Sequence, residues 1–323
     1  MYLPDQCRTG GRSGAQVCFA GQLQVRGQMS TLRVMLFDMV CAVNRAVPFV
    51  RWHQFAARLL PPPPYTDRLM RWQGRGRLVV NLGNPREREL YVEGRYEPHV
   101  MSMLKQVTPA GGTVVDLGAH LGAHTTALSL HVGERGRVFA VEANPHVVER
   151  LRQNVASSPH YANIDVIPVG VSDQPGTLPF YYPSDRSEWS KGRLAAHAGE
   201  HNWLSVDVEV TTLDALMAAR SYPHIDTIKC DVEGFDVAAL RGAAETITRS
   251  RPAIVFEYVE RLWRRAGFTL DDLREALPGY TFAYIPLWRH RTLIRPAPVA
   301  IRRVEDLPPA HRNRYELLAR PEA

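Results

Sequence analysis

Lysine is nearly missing from this chain. Only Lys105, Lys191 and Lys229 occur among 323 residues, and arginine carries the rest of the positive charge. The net charge is +6 and the pI is near 9.3. No dense basic tract accompanies it. The best cluster, 289–295 (RHRTLIR), alternates with other residues and reads as one face of a strand. A nucleic-acid footprint needs a clustered patch or stripe, so no nucleic acid is expected as a partner. An arginine bias of this kind fits a GC-rich genome. Cysteine is scarce too. Cys7, Cys18, Cys41 and Cys230 form no C-x-x-C and no zinc spacing with histidine,. They read as free thiols in a reducing cytoplasm. A basic start followed by an apolar signal core is absent. Residues 34–43 (VMLFDMVCAV) are apolar but broken by Asp38, and Arg45 follows. A bilayer span needs about 20 apolar residues, so this stretch is expected to be an amphipathic helix packed on the main domain. No integral membrane segment is expected, and the location expected is cytoplasmic.

What is present is a repeated strand, turn and helix pattern. The run TVVDLGAHLG (113–122) ends a strand in Asp116 and enters the glycine turn Gly118-Ala-His-Leu-Gly122. A helical stretch follows, then RVFAVEANP (137–145), which ends a second strand in Glu142. Strand, glycine turn, helix, strand, acid is how an α/β protein holds a nucleoside cofactor. Glycine removes the Cβ that would keep the ligand at a distance. Glu142 can accept from both ribose hydroxyls. The dinucleotide fingerprint G-x-G-x-x-G is missing, and Asp116 stands where a pyrophosphate would be repelled. An acid there suits a ligand with a cationic end, such as S-adenosylmethionine.

Organisation follows from the same punctuation. Residues 1–28 lack periodicity and read as a disordered extension. Residues 29–76 hold a helical segment, broken at Pro48, and the strap Pro61–Pro64. Residues 77–93 read as a β-hairpin around Gly83-Asn84-Pro85, and a helix is expected at 98–106. Strands at 113–117, 137–142, 164–169, 225–231 and 253–258 alternate with helices at 123–131, 145–156, 212–219, 236–248 and 269–276, which implies a parallel sheet. Segments 177–183 and 204–210 are expected to pair antiparallel. The polar stretch 184–203 between them is expected to be a lid over the substrate. Closing strands are expected near 280–286 and 291–295. The catalytic domain would span 77–300, leaving 301–323 as a tail.

A second constellation lies in IKCDVEGFDVAALRGA (228–243). Its strand ends in Asp231, with Glu233 and Gly234 opening the turn. Ligands of open parallel sheets sit beyond the carboxyl ends of the strands. Asp116, Glu142, Asp231 and Glu257 all lie there. Four acids on one rim need a cation among them, whether a sulfonium cofactor, a divalent metal, or an ionised lysine or arginine.

The strings GRYEPHV, VVDLGAHLGAHT, VFAVEANP, TTLDAL, IKCDVEGFDVAALRGA and PAIVFEY together resemble the FkbM family of S-adenosylmethionine-dependent methyltransferases. The likeness runs over roughly residues 77–260, with its core at 94–260. It implies a class I methyltransferase (Rossmann-like) fold: seven strands, mostly parallel, the last antiparallel, with helices on both faces. It also implies methylation of a hydroxyl on a small natural product, sugar or glycolipid. His120 and His124 stand where many relatives have Asn, and Asp236 where many have Glu. Residues 1–76 match nothing placed.

By resemblance and position, Gly118, Ala119 and Gly122 shape the methionine turn. Asp116 would meet the ammonium group, Glu142 the ribose, Val171 the adenine wall, and Glu97 the amino-acid end. A base is needed to take the hydroxyl proton. Asp231 and Glu233 are the first candidates, then His120 and His124. Glu257 would be a base, a metal ligand or an orienting group. Asp231 and Glu257 lack a clear third ligand, so no metal is expected. The expected partner is a small-molecule hydroxyl acceptor. An N-methyltransferase on the same fold, a nicotinamide-dependent oxidoreductase and a non-catalytic binding protein stay as alternatives. The acceptor and the oligomeric state are open at this point.

Overall fold

The computed structural model describes residues 31–46, 66–185, 189, 191–194, 202–221, 224–287, 296–302, 306–308 and 314–322. The expected extension 1–28, the strap at 61–64 and the strand at 291–295 lie outside the described residues.

Helix α1 (Thr31–Ala46) turns Phe37 and Cys41 inward. A hairpin of β1 (Asp67–Trp72) and β2 (Gly76–Asn81) follows, with Asp67 opposite Asn81. The expected hairpin at 77–93 is therefore corrected. Its first half is β2, whose partner precedes it, and its second half is helix α2 (Pro85–Glu93). Asn84-Pro85 reads as a turn but works as a helix start. The Asn84 side chain accepts from the N–H groups of Arg86 and Glu87, and Pro85 needs no donor at the first helical position,. Helix α1 packs on α2. Tyr91 Oη donates to Asp38 Oδ1 at 2.9 Å, and Arg45 Nη1 donates to the Tyr91 carbonyl at 2.8 Å. The expected packing of this helix on the main domain is thus found, but Met35, Leu36, Met39 and Val43 on the same helix stay exposed. No helix among the described residues is long and apolar enough to cross a membrane.

The alternating region follows: α3 (Pro98–Val107), β3 (Thr113–Leu117), α4 (Ala123–Val132), β4 (Arg137–Val141), α5 (Pro145–Ala156) and β5 (Ile164–Ile167). Then come β6 (Gly170–Val171), β7 (Gly176–Pro183), β8 (Trp203–Thr211), α6 (Leu213–Ala218), β9 (Thr227–Cys230), α7 (Asp236–Arg241), α8 (Ala244–Ser250) and β10 (Ala253–Val259). The chain continues with α9 (Glu260–Ala266), α10 (Leu270–Ala276), β11 (Tyr280–Ile285), β12 (Val299–Ile301) and β13 (Arg314–Pro321). The helix expected over 236–248 is two, broken at Gly242. A Cβ there would stand 2.0 Å from the Ser172 carbonyl oxygen.

The main sheet has eight described strands in the order β12-β11-β13-β10-β9-β3-β4-β5, so the expected seven are corrected to eight. Strands β3, β4, β5, β9 and β10 pair in parallel, and β13 is antiparallel to both neighbours. Residues 314–321, expected within a tail, are thus an interior strand.

Alternate residues of one strand feed different cores. Val115, Leu117, Phe139 and Val141 pack with Leu213, Val237 and Leu273 from α6, α7 and α10. Val114 and Val138 pack instead with Leu104 from α3 and Leu128 from α4. Helices therefore cover both faces. Strands β6, β8 and β7 form a separate small sheet, with 176–183 and 203–211 antiparallel as expected.

Candidate active site

The ends of β3, β4, β9 and β10 open on one cleft of about 1330 Å³. The glycine turn after β3 is built by close approach. Gly118 has φ +78°, and an added Cβ would lie 1.9 Å from the Asp231 carbonyl oxygen. No L side chain fits there. The turn is also pinned to β4, because the N–H groups of Gly118 and Ala119 both donate to the Val141 carbonyl. Gly122, φ +89°, starts α4 against Leu151. Gly118 lines the cleft; Ala119 and Gly122 shape the turn from behind.

Glu142 lies at the tip of β4 and faces the cleft. Its Oε2 accepts from the His120 N–H and its Oε1 from the Asn144 N–H, both at 2.8 Å. A carboxylate has about four acceptor sites, so each oxygen keeps one for a ligand. Burial raises its pKa, and these two bonds oppose the rise. Val171 lines the same cleft near Val169 and Gly170.

Asp116 is placed differently from the expectation. It is fully enclosed and does not line the cleft. Thr125 Oγ1 donates to it at 2.6 Å, and Lys229 Nζ stands 3.3 Å away. The same ammonium is 3.6 Å from Asp231 and donates to the Gly118 carbonyl at 3.4 Å. Burial alone would lower the Lys229 pKa, but Asp116, Asp231 and Glu97 outweigh it and raise it well above the usual value. Lys229 is thus one of the cations that the acid-rich rim requires.

Arg314 on β13 is the other. Its Nε is 2.5 Å from Glu257 Oε1, and its Nη2 is 3.1 Å from Glu97 Oε1 and 3.5 Å from Glu316 Oε1. Neither cation was among the expected site residues. Lys229 lies inside an apolar run, where it reads as strand filler. Its signal was the lysine within IKCD. Arg314 sits in the presumed tail, and the alternation of RYELLAR was its signal.

Glu97 heads α3 in a left-handed conformation, φ 35°, yet its side chain makes no cap. Its carboxylate instead faces Arg314 and, at 3.7 Å, His124 Nε2. Burial, outweighing Arg314, raises its pKa. Glu233 also has a left-handed backbone, φ 53°, and Gly234 follows at φ +99°. Such strain persists only where the surroundings enforce it. Here it turns Glu233 into the cleft beside Asp231. Burial, then the Asp231 charge, raises the Glu233 pKa to about 8.

Asp231, Glu233 and Glu257 converge, with oxygens within 4.8 Å of one another. Glu233 thus supplies the third carboxylate that the sequence left unassigned, and Arg314 already neutralises Glu257. His120 lines the cleft, but burial lowers its pKa to about 4. His124 is buried and held well below its usual value. Of the segment expected to be a lid, the described residues Trp189, Lys191 and Arg193 line the cleft. Arg193 exchanges backbone hydrogen bonds with Tyr181.

A mostly parallel sheet, a glycine turn after its central strand, an acid after the next and an acid pair after the neighbour on the other side match the layout expected of a class I methyltransferase fold. The FkbM methyltransferase domain matches residues 116–284, just over half of the chain. The chain belongs to that family, and it is a methyltransferase.

The chain is 25% identical over 193 residues to the 2-O-methyltransferase NoeI of Sinorhizobium fredii, covering 56% of this chain and 76% of that protein. It is 26% identical over 168 residues to the hexuronic acid methyltransferase AglP of Haloferax volcanii, covering 51% and 62%. Among solved structures it is similar to the FkbM methyltransferase of Methylobacillus flagellatus. That match has 14% identity and a TM-score of 0.41, and it covers 72% of this chain and 52% of that one.

Proposed function

We infer that the protein transfers a methyl group from S-adenosylmethionine to a hydroxyl of a sugar unit or other small natural product. One observation carries this reading: Glu142 and Glu233 open on the same cleft from either side of the glycine turn. Glu142 keeps acceptor sites for two ribose hydroxyls. Val169 and Val171 offer an apolar wall for a base. Glu97 and Asp231 suit an ammonium group. When bound, the cofactor supplies a methyl group on a sulfonium, open to in-line displacement. The cleft exceeds the usual ~300–1,000 Å³ of a single-ligand pocket, which leaves space for an acceptor.

The residues then position and deprotonate. Much of the rate comes from holding the acceptor oxygen in line with the methyl group. Glu233 is the proposed base, with Asp231 beside it. A base with a pKa of about 8 holds a proton far better than His120 at about 4, so His120 is the weaker candidate. The relatives NoeI and AglP support a hydroxyl on a sugar-like acceptor.

Calorimetric titration with S-adenosylhomocysteine tests the cofactor; absence of binding would end this reading. Glu142→Ala is expected to weaken that binding by about 1.5–3 kcal/mol, the value of hydrogen bonds to a charged group, or roughly 10- to 150-fold. Unchanged affinity would remove Glu142 from the site. Glu233→Gln is expected to cost about 10²- to 10⁴-fold in kcat. For the native enzyme, kcat/KM is expected to rise with pH and level off above about 8. The variant's profile is expected to lose that step. Folding stability runs the other way. The folded state holds the Glu233 proton between the ordinary 4.5 and about 8, so this group's contribution declines as pH rises through that window.

A further inference from the structure

The cleft is charged unevenly from floor to rim. Its less exposed floor holds the acids Glu97, Glu142, Asp231, Glu233 and Glu257 together with Arg193 and Arg314. Its more exposed rim carries Arg86, Lys191, Arg261 and Arg264, against Glu89 and the half-buried Glu260. Glu260 is occupied, because it pairs with Arg264 at 2.7 Å. Arg86 and Arg261 make no ion pair or side-chain hydrogen bond with any described residue. They project from the starts of α2 and α9, two helices that the chain places far apart in sequence but on one cleft. Arg86 is close enough to act on the floor. Burial raises the Glu97 pKa, and Arg86 is among the charges that oppose the rise.

This gradient would orient a ligand. The floor's cations, Arg314 and Lys229, are already taken up by its own acids, whereas the rim offers guanidinium groups without an acid, and a guanidinium fork binds a carboxylate or phosphate through two parallel hydrogen bonds. A neutral sugar gains nothing from Arg86 and Arg261. Resting on the methyl-transfer reading above, we propose that the acceptor is a sugar carrying an anionic group, a carboxylate or a phosphate, which docks on Arg86 and Arg261 while its reacting hydroxyl points inward to Glu233. The same field gathers such acceptors from solution in a salt-dependent way.

The test is a titration of the protein, loaded with S-adenosylhomocysteine, with glucuronic acid, glucose 6-phosphate and glucose. At least one anionic sugar is expected to bind ten times more tightly than glucose or better, and to weaken with added salt. The two anionic probes separate carboxylate from phosphate. The double variant R86Q/R261Q is expected to lose at least tenfold for the anionic sugar and to keep its affinity for S-adenosylhomocysteine. Equal binding of glucose, no binding of either anion, or a double variant that binds the anion like the native protein would each overturn the proposal. Failure of S-adenosylhomocysteine to bind would instead sink the methyl-transfer reading. The same anion titration on unloaded protein would then still judge the rim by these outcomes.

Discussion

Lys229→Met is expected to lose about 3–5 kcal/mol of folding stability, the usual cost of removing one partner from a buried ion pair. The reason lies in Asp116, which is fully enclosed and has Thr125 as its remaining polar partner once the ammonium is gone. Asp231 and the Gly118 carbonyl lose the same cation. Methionine fills the volume, so the loss is electrostatic rather than a cavity effect. Denaturant unfolding at neutral pH measures it. Adding Asp116→Asn should recover part of the loss, because an amide does not leave a bare charge behind. A single variant as stable as the native protein would show that the enclosure of Asp116 does not depend on Lys229.

Ending the chain after residue 313 is expected to abolish the cooperative fold. Strand β13 lies between β10 and β11 and pairs with both. It buries Leu317, Leu318 and Ala319. Each leucine is worth about 1.5–3 kcal/mol of burial, and the ladder bonds of two neighbours go with it. A typical domain is stable by only ~5–15 kcal/mol. Thermal unfolding followed by circular dichroism should show no sharp transition. Arg314→Ala separates strand from side chain. It should fold, yet leave Glu97, Glu257 and Glu316 without their shared cation. A truncated protein that melts cooperatively would mean that β10 and β11 close without β13.

Much of the catalytic core was legible because its signals are local. Strands β3, β4, β9 and β10 are short apolar runs ended by acids, and the helices between them bury alternate faces. Gly118 and Glu142 follow from turn chemistry at a strand tip. What escaped was set by distant contacts. Asn84-Pro85 marks a turn or a helix start equally well, and only the packing of Leu90 and Tyr91 decides. Asp116 looked like a ligand residue, because nothing local shows that Lys229, 113 residues later in the numbering, neutralises it. Arg314 reaches Glu97 across 217 positions, and no pattern within either segment announces the pair. Glu233 was nameable as an acid, but its pKa depends on burial and on Asp231.

The place of β13 in the sheet bears on how the chain comes to fold during synthesis. Strands that emerge earlier can pair as they leave the ribosome, since domains tend to assemble from the N-terminal side. Here β10 and β11 are made first yet share no ladder of their own. Until the last described strand arrives, both present open backbone edges, the feature that favours unwanted pairing with other chains. Arg314 arrives with that strand. The nascent protein therefore passes through a stage in which its glycine turn is already translated, its sheet is split and Glu97 and Glu257 lack the guanidinium that pairs with them. Assembly and chemical competence come together, late, in one step of insertion.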